Sequence, residues 1–476
     1  MVVLIFARSS TKYIHNHYGN NPTLPRPPKQ SLTRRASAVL ALAITLLVSA
    51  CSHDPEPLMD PKPVSALAET YSADVATKWA DMELRLVKNG VSFTPPVASR
   101  AMGYCGVALY EAVVPGMPEY QSLAGQLTNL ASLPKPETGQ RYNWNVAANA
   151  AEALMVKSMF GNASAAQRAS IDSLETALNQ TYRTAEEFDR SVKFGQQIAQ
   201  ALFDWSRTDG GHEGYLNNQP ASFVPPVGVG LWVQTTPGAA GRAIQPTWGQ
   251  NRLFVPANAT MTMPALSYSY STQPGSPYYA QVLELYNTSK NLTAAQRTIA
   301  NYWADGGQTI SPPGHSLNIT SIVLRDRKAT LALAAEAYAR VGMAVSDAFV
   351  SCWKCKFTYN WQRPITAVQA MLDPTWQPLL ATPPFPEFVS GHASQSGAAS
   401  QVLGDLFGPQ TTFVDNTHQA RGAGYEPRTF TSFAAFADEA AMSRLYGGIH
   451  FRSANEVGLA EGQKLGRNVS ALHFHR

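Results

Sequence analysis

No stretch of this chain repeats at a fixed period, no block reads as strand-rich, and cysteine is scarce, with 4 in 476 residues. The first absence argues against a repeat array, the second against an all-β domain, and the third against a disulfide framework. The first 51 residues contain no acid, but they hold six cations: Arg8, Lys12, Arg26, Lys29, Arg34 and Arg35. Their apolar run, Ala36 to Ala50, is too short to span a bilayer. Cations followed by a short apolar run read as an export segment. Val48-Ser49-Ala50-Cys51 reads as a lipobox, with lipid on Cys51 and an envelope location facing the periplasm or exterior. Thr33-Arg34-Arg35 is at most a weak twin-arginine signal.

Removal of that segment changes the charge argument. The chain has 37 Lys+Arg and 33 Asp+Glu, and taking away the six leaves 31 against 33. The mature protein is slightly acidic, so the basic balance gives no reason to expect nucleic acid. Its only expected membrane contact is the lipid anchor, and homo-oligomerisation is left open.

Residues 52–65 are polar and Pro-rich, which suits a tether. From Ala66 the text is Ala-rich and helical, with a helical region over 66–290 and a second over 291–476. Helices are predicted near 66–90, 97–114, 143–160, 164–181, 184–206, 276–287, 293–304, 316–341, 343–362, 392–407, 431–446 and 453–471. Residues 208–275 are rich in Gly, Pro and Asn, an irregular excursion of a length that usually covers a site. The expected class is an all-α helical bundle with strand content well below the usual fraction.

The chemistry concentrates between Lys356 and His450. Lys356 and Arg363 are seven residues apart, the same side of a continuous helix and roughly 10.5 Å apart along its axis. Pro364 biases Arg363 out of the α region, so the helix is expected to end there with Arg363 turned inward. Ser390-Gly391-His392 precedes apolar residues at helical spacing. Ser390 suits an N-cap, Gly391 allows close approach of a ligand, and a helix N-terminus favours an anion. Arg444 and His450 are six apart, about 240° on one helix, so Gly447-Gly448 must break it for both to face one pocket. Three cations, two histidines and a helix N-terminus suit binding and acid–base chemistry on a small tetrahedral oxyanion.

In order, Lys356-x6-Arg363-Pro364, Ser390-Gly391-His392 and Ser443-Arg444-x5-His450 resemble the signature of vanadium-dependent haloperoxidases and the related type 2 phosphatidic acid phosphatases. Asp347-Ala348-Phe349, Trp353 and Phe385-Pro386 resemble the haloperoxidase branch. Weaker likeness extends to Arg100–Ala112, to Trp303-Ala304-Asp305-Gly306 and to Pro312-Pro313-Gly314-His315. The resemblance implies an all-α bundle that binds vanadate through Lys356, Arg363, Ser390, Gly391 and Arg444. It implies that His450 ligates vanadium, that His392 is the acid–base group, and that Trp353 and Phe385 shape the halide environment. The reaction implied is oxidation of halide by hydrogen peroxide to hypohalous acid; ease of oxidation and low desolvation cost, not the resemblance, put iodide or bromide ahead of chloride. Small organic acceptors are potential partners, and phosphate is a competing anion. Alternatives are an envelope acid phosphatase with His450 as nucleophile, and a non-catalytic oxyanion-binding lipoprotein.

Two departures stand out. Val389 replaces the family's Pro. Ala454 stands where a trailing Asp is expected, which leaves the orientation of His450 unexplained. Cys352-Trp353-Lys354-Cys355 has redox-motif spacing but lacks the βαβ context, so two small buried residues are expected. His315 is expected to be a satisfied core residue or to sit at the pocket mouth.

Overall fold

A computed structural model describes residues 64–90, 92–259 and 263–476. The expected export segment, with Cys51, lies outside the described residues. Helices dominate, in the order α1 (Asp74–Asn89), α2 (Pro95–Val113), α3 (Trp144–Met159), α4 (Ala165–Asn179), α5 (Phe188–Ser206), α6 (Pro256–Ala259) and α7 (Pro277–Lys290). Then follow α8 (Ala294–Tyr302), α9 (Ser311–Asp326), α10 (Leu331–Tyr359), α11 (Pro364–Met371), α12 (Gly391–Phe407), α13 (Phe433–Tyr446) and α14 (Arg452–Ser470). Two three-residue strands, Phe413–Asp415 (β1) and Arg428–Phe430 (β2), pair antiparallel. Among the described residues no helix is long and apolar enough to cross a membrane.

The buried α10 is the axis of the fold, packed on α2, α12 and α14. The break expected near residue 342 is instead at residues 327–330. Lys328 takes φ +49° there, and the Thr330 hydroxyl accepts from Leu333 N as an N-cap. Gly342 is not a breaker but a contact point. A Cβ there would stand 2.7 Å from the Met102 carbonyl oxygen, so α2 and α10 cross too closely for any side chain. At its other end α10 stops at Tyr359, because Asn360 turns left-handed with φ +47°. That is three residues earlier than the spacing predicts. Arg363 is extended (φ −76°, ψ 154°) and opens α11, a helix the periodicity did not reveal.

The excursion over 208–275 is tied to the bundle rather than floating on it. Asp209 pairs with Arg100 at 2.7 Å. The buried Asp347 carboxylate accepts from Phe254 N, Val255 N and Asn258 Nδ2 at 2.7–3.1 Å. Ile244 N donates to Pro384 O at 3.0 Å, and Ile244 O accepts from Trp353 Nε1 at 3.1 Å. The excursion therefore supplies one wall of the cavity described next.

Candidate active site

A cavity of about 630 Å³ opens where five segments converge. Val87 and Lys88 of α1 and Phe93–Pro95 form one side, and Asp305–Thr309 a second. Leu380–Phe385 and Ile244 form a third, with Phe349 and Trp353 of α10 below. Gly391, His392, Arg444 and His450 close the floor.

Each floor residue arrives by a local device. Ser390 ends the extended chain (φ −71°, ψ 122°) and α12 begins at Gly391, so the first N–H groups of α12 lack partners within the helix. The Ser390 hydroxyl does not cap; it is buried and has no hydrogen-bond partner. Tyr446 ends α13, and Gly448 at φ +75° turns the chain so that His450 faces Arg444 across the pocket. The break expected at Gly447-Gly448 is present.

Arg363 is fully buried. Its Nε donates to Phe385 O at 2.7 Å and its Nη1 to Ile449 O at 2.8 Å, with His450 Nε2 at 3.1 Å. Its Nη2 is buried without a partner. Burial pulls both Arg363 and Arg444 down to about 10, so both stay cationic at neutral pH. Lys356 departs from the direct grip expected of it. Its Nζ gives all three protons to backbone carbonyls, of Pro386 and Glu387 at 2.9 Å and of Val389 at 2.5 Å. Burial lowers it to about 8. Lys356 thus clamps the irregular segment that leads into Ser390 and adds charge from behind it.

The question raised by Ala454 has its answer in Glu387. The Glu387 carboxylate sits 3.0 Å from His450 Nδ1 and also accepts from Phe451 N at 2.9 Å. Nδ1 therefore carries the ring proton, and Nε2, toward Arg363, keeps its lone pair. Burial, then Arg363 and Lys356, hold His450 well below the usual histidine range, so the ring is neutral. Burial pushes the Glu387 carboxyl up to about 7 against the pull of Lys356 and Arg363. Ala454 is fully buried, and its carbonyl accepts from Ser390 N at 3.1 Å. The only sequence signal for Glu387 is one acid inside the apolar run Phe385–Val389.

His392 lines the cavity with Nε2 3.5 Å from Arg444 Nη1 and 3.8 Å from Asp305 Oδ2. Burial and then Arg444 hold it well below the usual range, so it too is neutral. The Trp353 and Phe385 rings pack tilted at 48°, with centroids 5.0 Å apart. The Phe385 face lies 5.1 Å from Lys356 Nζ and 4.8 Å from the Arg363 guanidinium, an apolar lid over both charges. Cys352 and Cys355 are buried free thiols raised by burial, which removes any basis for a redox pair.

A family model described as the VCPO second helical-bundle domain matches residues 336–475. A solved bacterial vanadium-dependent iodoperoxidase is 34% identical, with a TM-score of 0.75, over 84% of this chain and 96% of that one. The chain belongs to the vanadium-dependent haloperoxidases. A holo-type bacterial vanadium-dependent chloroperoxidase shares the fold at 17% identity and a TM-score of 0.61, over 81% of this chain and 94% of that one. Its apo-type counterpart, at 16% identity, gives 0.60 over 80% and 94%. No curated protein sequence matches the chain. As a haloperoxidase it is a peroxidase-class oxidoreductase, and the helical fold is as expected.

Behind the haloperoxidase floor lies a charge cluster that sequence reasoning did not assemble. His315 is buried, with Nδ1 3.0 Å from Asp305 Oδ2 and Nε2 2.8 Å from Asp415 Oδ2. Both ring nitrogens face carboxylates, so both donate and the ring is an imidazolium. Trp303 stacks on it at 4.4 Å, and His418 Nε2 lies 2.8 Å from Asp305 Oδ1. Burial lowers His315, but Asp305 and Asp415 overcome this and raise it to about 10. Asp305, pushed up by burial, is held well below the carboxylate range by His315 and His418. Asp305, His315 and His418 have metal-ligand identity, but the protonated His315 already supplies the cation. His315 is the satisfied core residue of the two expectations, one layer behind the pocket.

This cluster sets a pH dependence. A histidine raised on folding stabilises fully below its unfolded value near 6.5, and that gain is lost as pH rises toward about 10. Asp415→Asn removes one partner of His315. We expect it to lower the thermal midpoint much more near pH 6 than near pH 9.5, a difference on the order of a few kcal/mol. Equal losses at the two pH values would show that His315 is not held charged. Thermal melts of the two proteins across that range decide it.

Proposed function

We propose that the haloperoxidase holds vanadate on this floor and oxidises iodide, with bromide next and chloride last. The observation that carries the reading is a set of unspent groups in one place. The Ser390 hydroxyl and Arg363 Nη2 are buried without partners, beside a neutral His450 whose Nε2 meets only Arg363 Nη1, a donor that also serves Ile449 O. That set fits a tetrahedral oxyanion with one nitrogen ligand. Arg363 and Arg444 would grip its oxygens, with the Ser390 hydroxyl and the Gly391 N–H as further donors. Lys356 adds positive potential through the segment it clamps. Vanadate, when bound, supplies a Lewis-acidic centre that activates hydrogen peroxide toward halide without changing oxidation state. His392, at the edge of the cavity, moves protons on and off the bound oxygens.

The halide order rests on ease of oxidation and low desolvation cost, both of which favour iodide. It is supported by the 34% identical structure being that of an iodoperoxidase. The Val48–Cys51 stretch supports an envelope protein anchored by lipid on Cys51.

The test is steady-state turnover with iodide, bromide and chloride at fixed vanadate and peroxide, repeated at rising phosphate. Iodide should turn over fastest, and phosphate added before vanadate should inhibit, because the cradle reads oxygens and not the central atom. Chloride turnover matching iodide would refute the order. Hydrolysis of phosphoesters without vanadate, in the absence of halide oxidation, would favour the phosphatase alternative. A second expectation concerns Glu387→Gln. Loss of its charge lowers the basicity of His450, and vanadate affinity should fall ~10–100-fold, as for other partners behind a ligating histidine. A calorimetric titration showing unchanged affinity would remove Glu387 from this role.

A further inference from the structure

Away from the haloperoxidase cavity, the first three helices meet where acid is buried without a counter-charge. Glu83 on α1, Cys105 on α2 and Glu152 on α3 bring a carboxylate oxygen, a sulfur and a second carboxylate oxygen within 4.8 Å of one another. They are 5%, 0% and 2% exposed. Burial pushes all three well above their ordinary ranges, with no cationic side chain acting against it. A buried acid keeps its charge only when it is paired with a cation or a metal.

A second observation points to a ligand. Glu83 Oε2 and Glu152 Oε2 are buried and have no hydrogen-bond partner. Both glutamates line a small pocket of about 10 Å³ walled by Ala80, Met102, Gly106 and Leu109. That is close to the least space that holds one water-sized occupant. One thiolate and two carboxylates are the donors a borderline divalent cation takes, with zinc bonds of about 2.3 Å to sulfur and about 2.0–2.2 Å to oxygen. Ligand atoms around such a centre stand roughly 3–4 Å apart, a contraction that glutamate side chains can absorb.

We propose that Glu83, Cys105 and Glu152 bind one divalent cation of the zinc class, a structural centre that ties α1, α2 and α3 together. Each ligand gives its proton to solvent as the cation enters, so affinity rises with pH. One turn beyond Glu83, Val87 and Lys88 line the mouth of the active-site cavity. The cation would therefore also steady that wall. The proposal is independent of the halide reading.

The test uses full-length protein expressed in zinc-supplemented medium and desalted, with metal measured by mass spectrometry. Wild type should retain one zinc per chain that the Glu83→Gln, Glu152→Gln double variant does not. His392→Ala should keep it, which separates this site from histidines at the cavity. Cobalt in place of zinc should show a thiolate charge-transfer band that disappears in Cys105→Ser. The cobalt spectrum of wild type needs no variant, so a poorly folding substitution does not decide the matter. Wild type without bound cation, or zinc retained equally by the double variant, would overturn the site and leave a neutral acid cluster.

Discussion

His450→Ala is expected to abolish vanadate binding and halide oxidation together. The substitution removes Nε2, the nitrogen that would ligate vanadium, and takes one partner from each of two groups that keep another, Ile449 O for Arg363 Nη1 and Phe451 N for Glu387. Arg363 Nη1 loses the nitrogen 3.1 Å away, and the Glu387 carboxylate loses the Nδ1 proton at 3.0 Å. The remaining cradle of Arg363, Arg444 and Ser390 still attracts an oxyanion, but by charge alone. The fall in affinity should exceed the ~10–100-fold typical of losing a partner behind a metal ligand. Calorimetric titration beside steady-state rates measures both quantities. Turnover lost with affinity preserved would mean that His450 is not the ligand. Because His450 is buried, a circular dichroism spectrum matching wild type must accompany the result.

His392→Ala is expected to separate the two quantities. Halide oxidation should fall ~10²–10⁴-fold, the worth of a positioned acid–base group, while vanadate affinity stays measurable. The reason lies in its surroundings. His392 is neutral because burial and Arg444 disfavour its charge, and Asp305 stands 3.8 Å from its Nε2. An anion bound between Arg444 and His450 would add negative charge beside it and move its pKa back up. It would thus gain a proton when the site fills and lose it when the site empties. His450 is tied to Glu387 and Arg363 and has no such freedom. Equal loss of affinity in the two variants would show that the roles are not divided this way.

Much of the floor was legible in the sequence because its determinants are local. Pro364 after Arg363, Ser390-Gly391 before an apolar period and Gly447-Gly448 after Arg444 each act within a few residues. Backbone sterics alone therefore set where those side chains point. The same holds for helices such as α4 and α8, whose capping boxes at Ser164 and Thr293 lie next to the residues they start. Where local signals competed, the reading failed. Gly342 looks like a helix breaker but serves the close crossing of α2 and α10, while Thr330 starts the helix twelve residues earlier.

By itself the sequence determined the helical class, the order of the three anion-binding blocks and the identity of the cations and histidines they carry. Tertiary structure alone decided how those groups are held. Glu387 reaches His450 across 63 residues, and Asp415 reaches His315 across 100. Lys356 donates its protons to an irregular segment some thirty residues away, at Pro386, Glu387 and Val389. Such pairings follow from which helices pack together. A single acid in an apolar run, or a histidine in a helix, has no local preference that names its partner. The protonation states of His392, His450 and His315 follow from burial and neighbours. Identical side chains thus became two neutral rings and one fixed cation only once the chain had closed around them.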